Sequence, residues 1–576
     1  VSASPSEPVK DDYEILTTKR RQNHYRANRR VFHLETAAGK KLDVIFQVSN
    51  DGVAFRYFFP DDGKPVDIPV LYKLKEETTT FHFLPGTKAW LQPMQVAKTG
   101  FEKSNPAYEE YYAKQIDVGT PSKLGAGWVY PALFHSGDTW LLISEAALGK
   151  HYCGTRLRHE SPDGEYSIGF PDPREIRDNG PANPESSLPW YSPWRIIVVG
   201  PLKAIAESTL GVDLADKPAI AFDASGKPGK ASWSWPLLGD SQTKFDTQKR
   251  FIDYAADMGW SYCLIDCKWD KQIGYDRAKE LADYAATKNI GVLLWYNSAG
   301  DWNTVNFTPR DKMLTHESRT AEFEKLKQMG IKGVKIDFFG GDGQSMIDYY
   351  AEILEDAAPY GLLVNFHGAT LPRGLERTYP NLMTIEAIRG FEYVTFEQRN
   401  ADEEPRHATV LPFTRNVFDP MDFTPVCLDR VNNRIKRRTT SAFELALSVL
   451  FTSGIQHYAE IPAGMAKMPD YVQDFLRHVP TVWDDVKFID GYPGKFVVLA
   501  RQGDNGWYVA GINGDTEEQK LNLDLTSLPN IKRGQLIQDG VDGERFQQSM
   551  VELDADKKLD LTIQPHGGFV MVLEPK

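Results

Sequence analysis

Polar residues recur directly after short apolar runs through the middle of this sequence. Asp266 closes CLID, Trp295-Tyr296-Asn297 closes LLWYN, Asp337 closes GVKID, Asn365 and His367 close NFH, and Glu386 closes MTIE. One such residue commonly caps the helix that follows. A series of them argues for convergence, because in a barrel of parallel strands the reactive groups sit where strands end and loops begin.

Paired carboxyl groups are the chemistry this set offers. Cleavage of a glycosidic bond with net retention uses two of them about 5–5.5 Å apart, one as nucleophile and one as proton donor. Asp337 suits the first task. Its short side chain follows Val334-Lys335-Ile336 directly, so a rigid strand end would hold the carboxylate within a narrow region. Lys335 is close enough in sequence to help keep it ionised. Glu386 and Glu392 stand six residues apart in TIEAIRGFE, with Gly390 between them. Two glutamates converging in a dry pocket repel unless a cation sits between them. Calcium, which takes about six to eight oxygen ligands, fits such a pair. The plain alternative is a pair of surface glutamates. Asp266 reads as a ligand for sugar hydroxyls or as a loop cap, and Trp295 as a stacking face or a barrel filler. Lys335 and Arg389 read as holders of hydroxyls or carboxylates, or as ordinary ion-pair members.

These residues need a scaffold, and the sequence has three textures. Residues 11–215 read as β. VFHLETAAGKKLDVIFQVSNDGVAFRYFFP alternates apolar and polar positions between Gly- and Asp-rich turns, and TTTFHFLP, WVYPALFHS, TWLLISEA and YSIGFP continue it. Many strands without helices predict a large antiparallel sandwich. From 216 to 480 apolar runs at 260–266, 289–296, 333–337, 361–367 and 381–386 alternate with helical patterns at 275–287, 322–329 and 346–358. That punctuation predicts a parallel sheet. No G-x-G-x-x-G opens a helix and no Walker loop is present, which favours a closed (β/α)8 barrel over an open nucleotide-binding sheet. The stretch 453–486 is expected to close it. KFVVLARQ, GWYVAGIN, QKLNLDLTSL and GGFVMVLEP then predict a small C-terminal sandwich. The expected domains are 1–215, 216–480 and 481–576.

Bulk properties narrow the partners. At 576 residues the chain is too long for one core. A net charge of −13 repels nucleic acid and anionic membranes and leaves neutral or cationic substrates open. Aromatics at 12%, with 13 Trp and 25 Tyr, suit a carbohydrate binder and suit large β-sheets equally well. Cys153, Cys263, Cys267 and Cys427 form no CxxC, so neither a zinc site nor a disulfide framework is expected. No run of about eighteen apolar residues predicts a membrane span. The opening VSASPSEPVKDD lacks a signal peptide and reads as a trimmed terminus.

GVKIDFF, NFHGATLPRGLERTYPNLMTIEAIRGFE and LLISEAAL together resemble glycoside hydrolase family 97 over essentially the whole chain. The resemblance implies a large N-terminal β-sandwich, a catalytic (β/α)8 barrel and a small C-terminal sandwich. It implies calcium held by Glu145 from the first domain, by Glu386, and by Glu392, which would also serve as general acid or acid/base. His367 would contact substrate. Inverting members carry a His-Glu pair whose glutamate is the base; this chain has His367-Gly368 and instead has Asp337 where retaining members place their nucleophile. The implied enzyme is therefore a retaining, exo-acting α-galactosidase or the stereochemically close β-L-arabinopyranosidase. An α-glucosidase and an inactive carbohydrate-binding protein on the same fold are the alternatives. A periplasmic or secreted location, and an oligosaccharide or glycoside as partner, follow from the same resemblance.

Overall fold

The computed structural model describes residues 1–61, 70–222, 227–432 and 434–575. At its centre seven short strands run parallel: β1 (Gly229–Trp233), β2 (Tyr262–Ile265), β3 (Gly291–Asn297), β4 (Gly333–Asp337), β5 (Leu363–Phe366), β6 (Leu382–Ile385) and β7 (Ile455–Tyr458). They pair in order from β1 to β6, and β7 pairs back onto β1, so the sheet curls into a barrel. Between β6 and β7 a single parallel bridge from Ile385 to Met421 stands where an eighth strand was expected. Pro420 and Pro425 flank that stretch, and proline cannot donate to a ladder.

Every residue of β3 is buried, as strands covered on both faces must be, and this is why such strands read as unbroken apolar runs. Helices Phe245–Asp257, Tyr275–Ala286, His316–Met329 and Gln344–Ala357 return the chain between strands. The third begins at a capping box between Thr315 and Ser318 and ends at Gly330, whose φ is 82°. Its limits are set by those ends, well outside the apolar pattern at 322–329.

Inside the barrel Ala231, Trp233, Leu264, Leu293, Leu363 and Ile455 pack into one cluster. This plug makes the barrel a packed core and not a pore. Strand residues two apart share a face, so four of these plug residues lead to a residue with a polar group nearer the strand end. Leu264 leads to Asp266, Leu293 to Trp295, Leu363 to Asn365 and then His367, and Ile455 to His457. On β4 Lys335 and Asp337 share a face, and the register sets Trp295 beside Lys335 and Asn297 beside Asp337.

Ahead of the barrel, fourteen strands between Ser2 and Gly200 join in one antiparallel sheet. Behind it, six antiparallel strands and a separate two-stranded pair between Asp485 and Pro575 enclose their own core, including Val498, Leu523 and Phe569. Helix Ser441–Leu450 is buried on all sides. Arg501, from the C-terminal sheet, donates from Nε to the carbonyl of Val449 (2.6 Å) and from Nη2 to that of Leu450 (2.7 Å), satisfying oxygens left bare at the helix end. All four cysteines are free and buried. No helix among the described residues is long and apolar enough to cross a membrane.

Candidate active site

Where the barrel strands end, a cavity of about 370 Å³ opens, within the usual ligand range of roughly 300–1,000 Å³. Asp266, Trp295, Lys335, Asp337, His367, Glu386 and Glu392 all line it. Of the strand-end series read from the sequence, Asp266, Trp295, Asp337, His367 and Glu386 are thus brought together, while Tyr296, Asn297 and Asn365 are not among the lining residues.

Asp337 is held by one oxygen. Its Oδ2 accepts from Nε1 of Trp295 at 3.1 Å and lies 3.7 Å from Nζ of Lys335. Lys335 is locked in turn: its ammonium sits 3.3 Å from Oδ2 of Asp266 and 4.1 Å from the centre of the Trp233 ring. Asp266 also accepts from Nε1 of Trp233 at 3.0 Å and from the backbone N–H of Cys267 at 2.8 Å. Burial pushes the Asp337 carboxyl above its ordinary value, opposed by the charges of Lys335 and His367.

Oδ1 of Asp337 faces Gly368. A Cβ on residue 368 would lie 2.9 Å from that oxygen and 2.8 Å from the backbone nitrogen of Phe338. Gly368 has φ 49° and Phe338 has φ 70°, so both residues of this contact occupy the left-handed region.

His367 faces a carboxylate on each side. Its Nε2 lies 2.6 Å from Oδ2 of Asp422, and its Nδ1 lies 3.3 Å from Oε2 of Glu386. Burial and Lys335 oppose a charge on the ring, yet Glu386 and Asp422 raise His367 well above the usual histidine range. Both ring nitrogens thus lie against carboxylates. Asp422 also contacts Nδ1 of His457 at 2.7 Å. Burial works against its charge, but His457 and His367 hold Asp422 far below the usual carboxylate range.

Two further glutamates stand beside Glu386. Glu109, from the N-terminal domain, lines it and hydrogen-bonds Tyr393 and Glu386. Burial, and then the charge of Glu386, push Glu109 well above the carboxylate range. Burial raises Glu392 to about 8, with Lys335 opposing and Glu386 adding to the rise. Glu386 goes the other way: His367 and the N–H of Gly368 outweigh its burial and hold it low. Donor atoms of His367, Glu386 and Glu392 lie within 4.8 Å of one another, and Oε2 of Glu392 is buried without a partner. Glu386 and Glu392 offer carboxylate oxygens, the type of donor a hard cation such as calcium takes.

Two expected roles need correction. Glu145 does not reach the cavity. It is buried on the strand Thr139–Ala146, where Oε1 accepts from Nε of Arg373 (2.6 Å) and the N–H of Thr155 (2.9 Å). Its Oε2 accepts from Nη1 of Arg195 (2.5 Å) and Oγ1 of Thr155 (2.6 Å). Two guanidinium groups already neutralise it and fill its lone pairs, so it ties the first domain to the barrel as an ion-pair partner. The cavity carboxylate from that domain is Glu109. Arg389 does not line the cavity either. Its Nε donates to the carbonyl of Glu109 at 2.9 Å and its Nη2 to Glu110 at 3.1 Å, with the rings of Tyr111 and Tyr393 beside it. It anchors the loop that carries Glu109.

Comparison with known proteins agrees with this architecture. Family models match along the chain: glycosyl-hydrolase 97 N-terminal at residues 1–217, glycoside hydrolase 97 at 229–388, and glycosyl-hydrolase 97 C-terminal, oligomerisation, at 482–574. A probable retaining alpha-galactosidase of Streptomyces bingchenggensis is 31% identical over 98% of this chain and 82% of its own. A retaining alpha-galactosidase of Bacteroides thetaiotaomicron is 27% identical over 96% of this chain and 85% of its own. A crystal structure of a beta-arabinopyranosidase superposes with a TM-score of 0.95 at 39% identity, covering 99% of this chain and 91% of that one. A family 97 enzyme of Pseudoalteromonas sp. strain K8, in complex with panose, shares the fold with a TM-score of 0.82 at 21% identity, covering 100% of this chain and 92% of that one. With these matches spanning sandwich, barrel and C-terminal sheet alike, the chain belongs to glycoside hydrolase family 97 and is a glycosidase.

Proposed function

We propose that the protein is a retaining, exo-acting hydrolase of terminal α-galactosides or of the stereochemically related β-L-arabinopyranosides, with Asp337 as nucleophile and Glu392 as acid/base. One observation carries the proposal: Asp337 is fixed through Oδ2 while Oδ1 is left over a glycine that has no room for a second carboxylate. An inverting enzyme needs a base there with space for a water; this site offers a nucleophile in its place.

In the first step Oδ1 of Asp337 attacks the anomeric carbon and Glu392 gives its proton to the leaving oxygen. Burial raises Glu392 to about 8 and so favours that proton, while a bound cation would oppose it. In the second step Glu392 takes a proton from water, which displaces Asp337 and restores the starting configuration. Trp295 and Lys335 orient the nucleophile, and Asp266 fixes Lys335.

Calcium belongs to this reading. Glu386 and Glu392 would hold it, with Glu109 beside Glu386 as a third candidate, and the repulsion that each of the other two feels from Glu386 together with the unpartnered oxygen of Glu392 supports the fit. When bound it would supply positive charge beside the developing transition state. The substrate assignment rests on the relatives named above, and the two sugars differ by the C6 hydroxymethyl of galactose. A periplasmic or secreted location is proposed on family resemblance.

The test is proton NMR of 4-nitrophenyl α-galactoside and β-L-arabinopyranoside hydrolysis. The proposal expects the first sugar released to keep its anomeric configuration. Release of the opposite anomer, or turnover of the α-glucoside alone, would overturn it.

A further inference from the structure

Among the described residues, two phenylalanines are left largely exposed, Phe101 at 57% and Phe396 at 48%, and both line the catalytic cavity. They belong to two aromatic groups. Phe101 lies 6.2 Å from Phe307 and 6.3 Å from Phe338, centroid to centroid, and Phe338 is 6.1 Å from Trp295, the tryptophan bound to Asp337. Phe396 stands edge-on to Trp235 at 6.1 Å and to Tyr393 at 5.4 Å. In the first group Phe101 comes from the N-terminal domain, while Phe307 and Phe338 follow β3 and β4; the second group rises from loops after β1 and β6.

Phe101 is held out by the fold. Its neighbours Gly100, Glu102 and Lys103 have φ of 73°, 45° and 60°, conformations that persist only when surroundings impose them. The barrel does so: Thr304 donates its N–H to the carbonyl of Glu102 at 2.9 Å, and Lys98 donates to the carbonyl of Trp302 at 2.9 Å. Ser104, which also lines the cavity, uses its hydroxyl on the carbonyl of Phe101 at 2.8 Å.

The cavity is therefore graded. Its floor carries carboxylates, an ammonium and an imidazole suited to sugar hydroxyls. Its mouth carries phenyl rings, which neither donate nor accept conventional hydrogen bonds. An exo-acting enzyme seats the terminal sugar on the floor, so the leaving group lies between the rings. We infer that this mouth is a subsite for a leaving group with a broad apolar face, an aryl or polycyclic alcohol, in preference to a second sugar. The inference rests on the hydrolase reading above.

The test compares wild type with F101A, F396A and the double variant on three substrates of one glycone: the glycosyl fluoride, the 2-naphthyl glycoside and a disaccharide. The glycone is galactose or L-arabinopyranose, whichever fluoride wild type cleaves. The variants should lower kcat/KM for the naphthyl glycoside about tenfold, mostly through KM, and leave the fluoride and the disaccharide within about twofold. An equal loss on the fluoride, an equal loss on the disaccharide, or no loss at all overturns the inference. If wild type cleaves neither fluoride, the glycone proposal fails, and saturation-transfer NMR with free 2-naphthol still decides this one. Transfer in wild type that vanishes in the double variant supports the subsite; none in wild type refutes it.

Discussion

A side chain on residue 368 would collide with the carboxylate of Asp337: the Cβ position of Gly368 lies 2.9 Å from Oδ1 of the aspartate. With Asp337 and the Phe338 backbone where they are, a side chain at residue 368 fits only if one of them shifts. The mechanistic branch is thus written into a steric contact as well as into residue identity.

Gly368→Ala tests that contact. The methyl must displace Asp337 or the Phe338 backbone, and φ 49° at this position adds strain. A loss in kcat on the order of a hundredfold is expected, since small displacements of a reacting group cost about that much. Thermal unfolding should shift by only a few degrees, a cost of about 1–2 kcal/mol. Unchanged kcat would show that Asp337 does not need its present position.

Glu109→Gln and Glu145→Gln separate metal binding from domain anchoring. The first should weaken calcium affinity by roughly 10–100-fold while the fold holds. The second leaves Arg373 and Arg195 short of a buried counter-charge, so it should cost about 3–5 kcal/mol of stability. Calcium titration calorimetry beside thermal unfolding reads both. The reverse pattern would restore Glu145 as the ligand.

Asp422→Asn addresses how His367 is held. The asparagine cannot supply the charge that Asp422 gives His367 and His457. The imidazole then loses its grip on Glu386, 3.3 Å from its Nδ1. Calcium affinity and kcat should fall together, by roughly 10–100-fold, and added calcium should recover part of the kcat. A merely structural role would lower the unfolding temperature without calcium rescue.

The acid/base assignment predicts a pH profile. Burial raises Glu392 to about 8, so the proton needed by the leaving group is present below that pH and lost above it. For substrates with poor leaving groups, kcat/KM should fall as pH rises through about 8, and sooner with calcium bound, because a cation favours the carboxylate. On the acid side kcat/KM should fall as Asp337 is protonated, at a pH above its ordinary 3.8. Glu392→Gln should lose the alkaline limb and retain most activity only on glycosyl fluorides. An alkaline limb unchanged in that variant would assign the proton elsewhere.

Much of this site was legible because the barrel obeys a simple alternation. Plug residues such as Leu264 and Leu293 place Asp266 and Trp295 on the same inner face, and GVKID puts Lys335 with Asp337. The same reading applied to IQHY finds His457. Strand β1, GKASW, carries no apolar run, and the Met421 bridge lies between prolines, which hid Asp422. Glu109 lies far away in NPAYEEYY, and only tertiary packing brings it to Glu386. Glu145 is placed at the metal by family resemblance alone, and Arg389 at the substrate by its residue type, yet a carboxylate or a guanidinium serves an ion pair as readily as a ligand. Local sequence does not distinguish the two.

The central claim is a covalent bond from the sugar to Asp337. Incubation with a 2-deoxy-2-fluoro glycosyl fluoride of the cleaved glycone, followed by peptide mapping, tests it directly. The account predicts one added sugar on the peptide containing Gly333–Asp337, absent in Asp337→Asn. Label on the Glu392 peptide, or none despite inactivation of wild type, would contradict it.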